Sequence, residues 1–446
     1  MIAFSVPLRE IEDCFQGIVP SLIGTCSLTG VPNVTEISIV HRVDDEHVAL
    51  SRQFFNKTIA NLMGNPHGCV EVIEPQTGRQ FRLDIQYERT ETEGPTFEHM
   101  SARLEAVAAQ EGMSKVFRLA AADVCRVLEC SVVLTDRTIV PSSRPPIDLT
   151  KVDLISRRIT SACSVDDLLT ASLEVLDEGF GYDHSFIMLV DETGERLYTV
   201  ASHGYEESGV GSEVCFGDGI LGVAAERRTT VSLANLQNDL NYTRAVRAGY
   251  ERAGVPAGLE QEIALPGLSN VASQHVVPIE ARDHLLGLLC FESTIPGRFH
   301  YVDDFVFHLA AREIGLQMTL LRDAPEEPAA PAPQPVETSD APAQVRYYAE
   351  DDSVFIDNEY LIKGVAGRVL WRLLQQYAQE KRTEFTNKEL RLDATLELPD
   401  IKDNLEARLA LLRRRLEDRC EFIRLSSSGR GRIHLDVGRE LRLREA

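Results

Sequence analysis

The sequence predicts an α+β chain of several domains, and three observations carry that prediction. Residues 1–140 read as short alternating strands punctuated by turn residues. Residues 150–322 set antiparallel strands between long amphipathic helices. Residues 346–446 follow a Pro/Ala/Glu-rich stretch and contain a leucine-striped basic helix leading into two strands. A chain of 446 residues is too long for one core, and its 43% apolar content can fill several.

Composition narrows the class further. No apolar run approaches the roughly 18 residues that span a bilayer, and MIAFSVPLREIEDC lacks a charged leader with a long apolar core, so a cytoplasmic protein with no membrane partner is expected. The net charge of −23 opposes nonspecific adhesion to nucleic acid, but it is unevenly spread. From residue 345 onward 20 Lys and Arg stand against 19 Asp and Glu, so that segment carries about +1 of the total. Nine cysteines without a CxxC pair or a matching histidine spacing argue against a disulfide framework and a structural metal site. Most lie in apolar runs, as Cys290 does in LLGLLCFES, and Cys215 too is expected to be buried filler rather than a redox site.

In the first domain a helix near 7–15 precedes strands at 22–28, 34–43 and 47–51, with Thr29-Gly30 and Asp44-Asp45 as turns. Asn56-Lys57-Thr58 then open a helix that stops at Gly64-Asn65-Pro66. A helix N-terminus carrying a lysine and a hydroxyl suits a phosphate group. The order of these elements, with the NKT…NP spacing, resembles the pyridoxamine 5′-phosphate oxidase-like, FMN-binding split barrel over about residues 15–135. The resemblance implies FMN as cofactor, with Asn56, Lys57 and Thr58 on its phosphate and Thr35, Glu36 and Ser51 beside ribityl and ring. It also implies Gln80 reaching in from a neighbouring strand or subunit, and a homodimer. Nothing after Cys130 matches the arginine-and-histidine segment that reads the pyridoxine phosphate in the oxidases. Through His41, His47 and His67 a haem-binding or empty barrel stays open as an alternative.

In the second domain helices at 150–162 and 165–178 lead to strands at 185–191, 196–202, 275–278 and 285–292, a loop-rich middle at 211–266, and a closing helix from 303 to about 321. HGYEESGVGSEVCFGDGILGVAAERR, VVPIEARDHLLGLLCFES and FHYVDDFVFHLAAREIGLQM together resemble a GAF domain, an α/β sandwich that binds a small molecule or dimerises; no particular ligand is singled out. GDGILG lacks the Lys-Ser/Thr of a nucleotide loop.

Residues 323–345 read as a disordered, semi-extended tether unable to transmit force rigidly. Beyond it, strands precede a helix whose Trp371 is expected in the core. Thr386 and Glu389 form a capping box. Leu405, Leu409, Leu412 and Leu416 fall at i, i+4, i+7 and i+11, placing one stripe inward and leaving Asn404, Arg408, Arg414 and Arg415 on the remaining faces. The segment 346–437 resembles the winged helix-turn-helix of OmpR/PhoB-type response regulators. It implies DNA as partner, read by Thr386, Asn404, Arg408, Arg414 and Arg415, with Arg430 and Arg432 on a wing tip. Leu411 departs from the pattern, standing where that family has a polar or basic reader.

The three resemblances together imply a transcriptional regulator in which a flavin barrel and a GAF pocket control DNA binding. An FMN-dependent oxidoreductase with regulatory modules is the alternative. No catalytic residue is assigned, because no nucleophile–base pair stands out. The regulator reading requires the arginine side of the penultimate helix to project into solvent.

Overall fold

The structure is a computed structural model that describes residues 6–53, 57–75, 77–110, 118–133, 148–191, 193–236, 265–323, 342–357, 359–396, 398, 405–427 and 431–445. Asn56, Asn404 and Arg430 lie outside these residues, as does most of the tether.

The first domain begins with a 3₁₀ segment, Leu8–Gln16, followed by β1 (Ser21–Cys26), β2 (Pro32–Ile37), β3 (Val40–Arg42) and β4 (His47–Arg52). Then come α1 (Lys57–Gly64), β5 (His67–Ile73), β6 (Gln80–Glu91), α2 (Pro95–Gln110) and β7 (Ala121–Val133). One antiparallel sheet runs β2-β1-β5-β6-β7-β4-β3. Its alternate residues, among them Ile23, Val48, Val70, Val72, Leu83 and Ile85, bury against the 3₁₀ segment. The single strand expected over 34–43 is two strands at opposite edges of the sheet. The break is held by Ser51, whose hydroxyl accepts from the Ile39 amide at 3.0 Å while its own amide donates to the Ile39 carbonyl. Helix α2, inside a region read from the sequence as strands alone, leaves the barrel altogether.

The second domain comprises α3 (Leu149–Thr160), α4 (Val165–Phe180), β8 (Ser185–Val190), β9 (Arg196–His203), β10 (Glu213–Cys215), α5 (Gly219–Arg227) and β11 (Val231–Leu233). It closes with β12 (Ser273–Ala281), β13 (His284–Ser293) and α6 (Tyr301–Asp323). The sheet order is β10-β9-β8-β13-β12-β11. Period-two alternation sends Ile187 and Leu189 to the face covered by α3, α4 and α6, and Phe186 and Met188 to the other. That other face is roofed by α5 together with α2 of the first domain, whose Ala102 and Ala106 are fully buried there. Arg227 fixes the pair through Glu105 at 2.9 Å and Glu98 at 3.3 Å. The middle expected to be loops therefore holds β10, α5 and β11; residues 237–264 lie outside the described residues.

The third unit contains β14 (Ala343–Tyr348), β15 (Ser353–Ile356), β16 (Glu359–Ile362), α7 (Gly364–Glu380), β17 (Glu384–Thr386) and α8 (Asn387–Leu392). A 3₁₀ turn, α9 (Leu405–Arg419), β18 (Ile423–Ser427), β19 (Arg432–Val437) and β20 (Leu441–Glu445) complete it. β17 pairs with β19 of the β18–β19 hairpin, and β20 returns parallel to β14. The capping box forms as read: the Thr386 hydroxyl accepts from Glu389 N and the Glu389 carboxylate from Thr386 N. Leu405, Leu409, Leu412 and Leu416 are buried, and Trp371 stacks on Tyr347 with ring centroids 5.0 Å apart. The tether is shorter than expected, because Ala343 and Val345 are already core residues of β14.

Helix α6 crosses β12 at Gly315, where a Cβ would stand 2.6 Å from the Glu280 carbonyl oxygen. A side chain there forces helix and sheet apart. We expect Gly315→Val to cost about 1–3 kcal/mol, read as a lowered denaturation midpoint of the full chain.

Candidate functional site

The curled sheet of the first domain leaves a gap between β2 and β4, beside the start of α1. A cleft of about 240 Å³ opens in it. Four of the residues expected to hold a flavin, Thr35, Glu36, Ser51 and Thr58, line this cleft. Thr58 is held by Asn33, whose side-chain amide donates to its hydroxyl at 3.1 Å. Lys57, the first residue of α1, is exposed and not on the wall; Gln80 starts β6, between Ile73 and Val133, and does not line the cleft either. Asp123 and Arg52, unremarked in the sequence, do line it, 3.4 Å apart, and burial raises the Asp123 carboxyl. The cleft of a single chain is smaller than the roughly 300–1,000 Å³ of ordinary ligand pockets, so a flavin would need a second wall.

Inside the GAF sheet, β13 ends on a buried carboxylate. Glu292 accepts from the Leu268 amide at 3.1 Å, the Gln274 side chain at 3.1 Å and the Tyr205 hydroxyl at 3.4 Å. Burial nevertheless dominates and pushes its carboxyl up to about 7. Its sequence signal was present: a lone acid closing the apolar run LLGLLCF. Cys290, two residues earlier, is buried as expected, whereas Cys215 is exposed at the end of an edge strand, contrary to its reading as buried filler.

The arginine side of α9 is where expectation and structure part. Arg408 is 8% exposed and its guanidinium lies 3.6 Å from the centre of the Tyr198 ring on β9. Arg414 donates to the carbonyls of Val200 and Asp166 and to the Thr170 hydroxyl, and pairs with the Asp166 carboxylate at 2.9 Å. Arg413 meets the same carboxylate at 2.7 Å. Arg415, 4% exposed, turns back to the Leu361 carbonyl within its own unit at 3.0 Å. Burial lowers the pKa of both Arg414 and Arg415. The expected solvent-facing stripe is thus capped by the GAF domain. The reason is in the helix itself: Ala407, Ala410 and Leu411 are all buried, and small side chains let α9 approach α4 and β9 closely. The misfit residue Leu411 belongs to a core that runs unbroken from α3 and α4 into the third unit. Of the other expected DNA contacts among the described residues, Thr386 is half-buried at its helix cap and Arg432 is exposed at the start of β19.

The raised carboxyl of Glu292 yields a pH prediction. A carboxyl whose folded value exceeds its unfolded value binds more protons when folded, so stability falls as pH rises from the ordinary carboxylate range through about 7. Glu292→Gln removes that loss. Its melting temperature should exceed the wild type's at about pH 8, by an equivalent on the order of 2 kcal/mol, and match it near pH 4.

Comparison with known proteins fits the middle of this architecture. The family model of the GAF domain matches residues 164–318. Among similar solved structures are an FMN-binding protein from Syntrophomonas wolfei subsp. wolfei, at 21% identity over 29% of this chain and 90% of that one, with a TM-score of 0.24, and the GAF domain of an Acinetobacter phosphoenolpyruvate-protein phosphotransferase, at 21% identity over 41% and 98%, TM-score 0.31. A free methionine-R-sulfoxide reductase from Neisseria meningitidis is similar at 19% identity over 39% and 89%, TM-score 0.31. No curated relative matches the sequence. No described helix is long and apolar enough to cross a membrane. Residues 164–318 are therefore a GAF domain, set in a mixed α/β chain beside a curled antiparallel sheet.

Proposed function

We propose that the chain is a ligand-sensing regulator described here in a closed state. In this reading the C-terminal unit is a winged helix-turn-helix that binds DNA, and the GAF domain holds its reading helix shut. One observation carries it: α9, with three consecutive arginines, is clamped by a single GAF carboxylate, Asp166, which meets Arg413 at 2.7 Å and Arg414 at 2.9 Å. The element order supports the unit's assignment, since a capped short helix, α9 and a β18–β19 hairpin follow one another as they do in that fold. Exposed Arg432 marks the base of the wing. The requirement that the arginine side face solvent is not met in this state, which counts for the oxidoreductase; the regulator reading holds only where docking is reversible and sensing shifts the docked population. Such a protein acts as a homodimer on paired half-sites.

A second reading rests on the barrel cleft. Thr35, Glu36, Ser51 and Thr58 around one gap fit a chain that binds FMN, completed by a second copy, and turns over an electron acceptor. It leaves the docked α9 as a permanent interdomain contact, to which Leu411 suits equally well.

The two separate on the full-length protein. Asp166→Ala leaves two arginines without their counter-ion, at a cost of about 1–2 kcal/mol to docking. For the regulator, retardation of pooled genomic DNA should then tighten about tenfold, fall steeply with salt, and weaken when Arg432→Ala is added. Unchanged DNA binding after Asp166→Ala, together with a flavin absorption spectrum and reduced-nicotinamide consumption, would move the oxidoreductase ahead.

A further inference from the structure

Where the loop between β9 and β10 of the GAF domain faces β15, β16 and α9 of the third unit lies a cleft of about 930 Å³. We propose that this cleft binds a dipolar metabolite of the free amino-acid type, its carboxylate on Arg415 and its ammonium against Asp351. The site is separate from the barrel gap and needs only the docked arrangement of α9, so it stands under either reading of the function. Its size falls within the range of metabolite pockets, and domain interfaces are where such pockets concentrate. The GAF wall is a tight loop, in which Gly211 donates to the Thr199 carbonyl at 2.9 Å and Ser212 to the Gly209 carbonyl at 3.0 Å.

The negative pole answers Arg415. Arg413 and Arg414 share the Asp166 carboxylate, whereas Arg415, buried on the wall of the cleft, pairs with no carboxylate among the described residues. Its Nε donates to the Leu361 carbonyl at 3.0 Å, and neither Nη group has a partner among those residues. Burial, then Arg419, lowers its pKa and outweighs Asp418, Tyr360 and Glu207, which act the other way. A buried guanidinium short of negative charge gains from an entering carboxylate, which its two Nη groups can hold side by side.

A simple anion does not suit the rest of the wall. Five carboxylates and three cations line the cleft. Glu213 takes Lys363 at 3.3 Å and Arg196 at 3.1 Å, and Glu207 takes Arg419 at 3.5 Å. Asp351 accepts from the Ser353 amide at 3.1 Å, Asp418 accepts from the Ser208 hydroxyl at 2.7 Å, and Glu206 is exposed. Among the described residues none of these three pairs with a cation. Three acids around one guanidinium repel phosphate but accept a ligand that brings an ammonium as well as a carboxylate. Tyr360 ties the two poles together. Burial and then Glu213 raise its hydroxyl, Arg415 opposes them and Asp351 adds to them, so cation and acid both act on this one group. That hydroxyl has no hydrogen-bond partner among the described residues, and its ring meets Phe355 edge-on with centroids 5.4 Å apart, an apolar floor for a ligand side chain. A metal ion fits less well, because among the described residues no three His, Cys, Asp or Glu side chains converge on ligating geometry. A ligand touching both walls binds the docked arrangement and stabilises it by mass action.

The test uses the full-length chain, titrated at constant ionic strength with each of the twenty free amino acids and with propionate and butylamine, which carry one pole each. Calorimetry and thermal unfolding are the readouts. At least one amino acid should bind saturably and raise the melting temperature, and neither one-pole compound should. Arg415→Met should weaken that binding about tenfold, the loss of a charge-assisted hydrogen bond. Asp351→Asn, at an exposed turn where the new side chain can still accept from Ser353, should weaken it about threefold and serves if the Arg415 variant does not fold. Absence of saturable binding by all twenty, equal binding of propionate or butylamine, or an Asp351→Asn chain that binds as the wild type does would each overturn the assignment. DNA retardation enters none of these readouts, so such a failure is distinct from a failure of the regulator reading.

Discussion

The placement of the third unit depends on one contact, the seating of α9 across α4 and β9 of the GAF domain. Its polar part is the carboxylate of Asp166, which stands in the first turn of α4 and receives two guanidiniums. Its apolar part is Leu411, flanked by Ala407 and Ala410. Neither part suffices alone. Two arginines brought into a partly dry interface lose hydration that one carboxylate and four backbone or hydroxyl acceptors must replace. Leu411 in turn gains about 2 kcal/mol on leaving water only if the charged neighbours beside it are satisfied. The pair is therefore cooperative, and removing either half loosens both.

The first domain is joined to the GAF domain by different means. Helix α2 leaves the barrel between β6 and β7 and completes the layer over the second face of the GAF sheet, so that face would lie partly bare without it. Burial of Ala102 and Ala106 requires close approach to α5, which Arg227 enforces by gripping Glu98 and Glu105. The GAF sheet is thus covered on one side by its own α3, α4 and α6 and on the other by its own α5 together with a helix on loan. Each of its faces packs against a different neighbour.

Much of this was legible in the sequence, and what was not has definable causes. The leucine stripe of α9, the capping box at Thr386 and strands β1, β4, β8, β9, β12 and β13 follow from periodicities that local structure must obey. Four of the residues expected to hold a flavin, Thr35, Glu36, Ser51 and Thr58, line one cleft because a strand–turn–strand–helix order fixes them relative to each other. The failures are tertiary. An arginine face reads as a solvent face only when nothing covers it, and what covers it, Asp166, lies about 250 residues earlier, where it resembles any first-turn acid. Leu411 was the visible clue, an apolar residue on a supposedly wet side. Helix α2 was missed because PTFEHMSARLEAVAAQ is rich in small residues, so its buried face carries little hydrophobic contrast. The last strand, β20, was missed because its pairing is parallel to a strand nearly a hundred residues away.

The route of communication follows from the same contacts. One core is continuous from α3 and α4 through Leu411 to Leu416 and Ile433. Any event that shifts α4 relative to β9 moves Asp166 against Tyr198 and Val200, the partners on which the arginines rest. In the proposed regulator docking strength fixes the closed fraction, so a modest change at the GAF sheet is enough to alter it. A bond of 1–2 kcal/mol, about the strength of the Asp166 clamp, shifts such an equilibrium roughly five- to thirtyfold. In the proposed regulator a ligand held by the GAF domain need supply no more than that, and the α9 seat is the element it would bias.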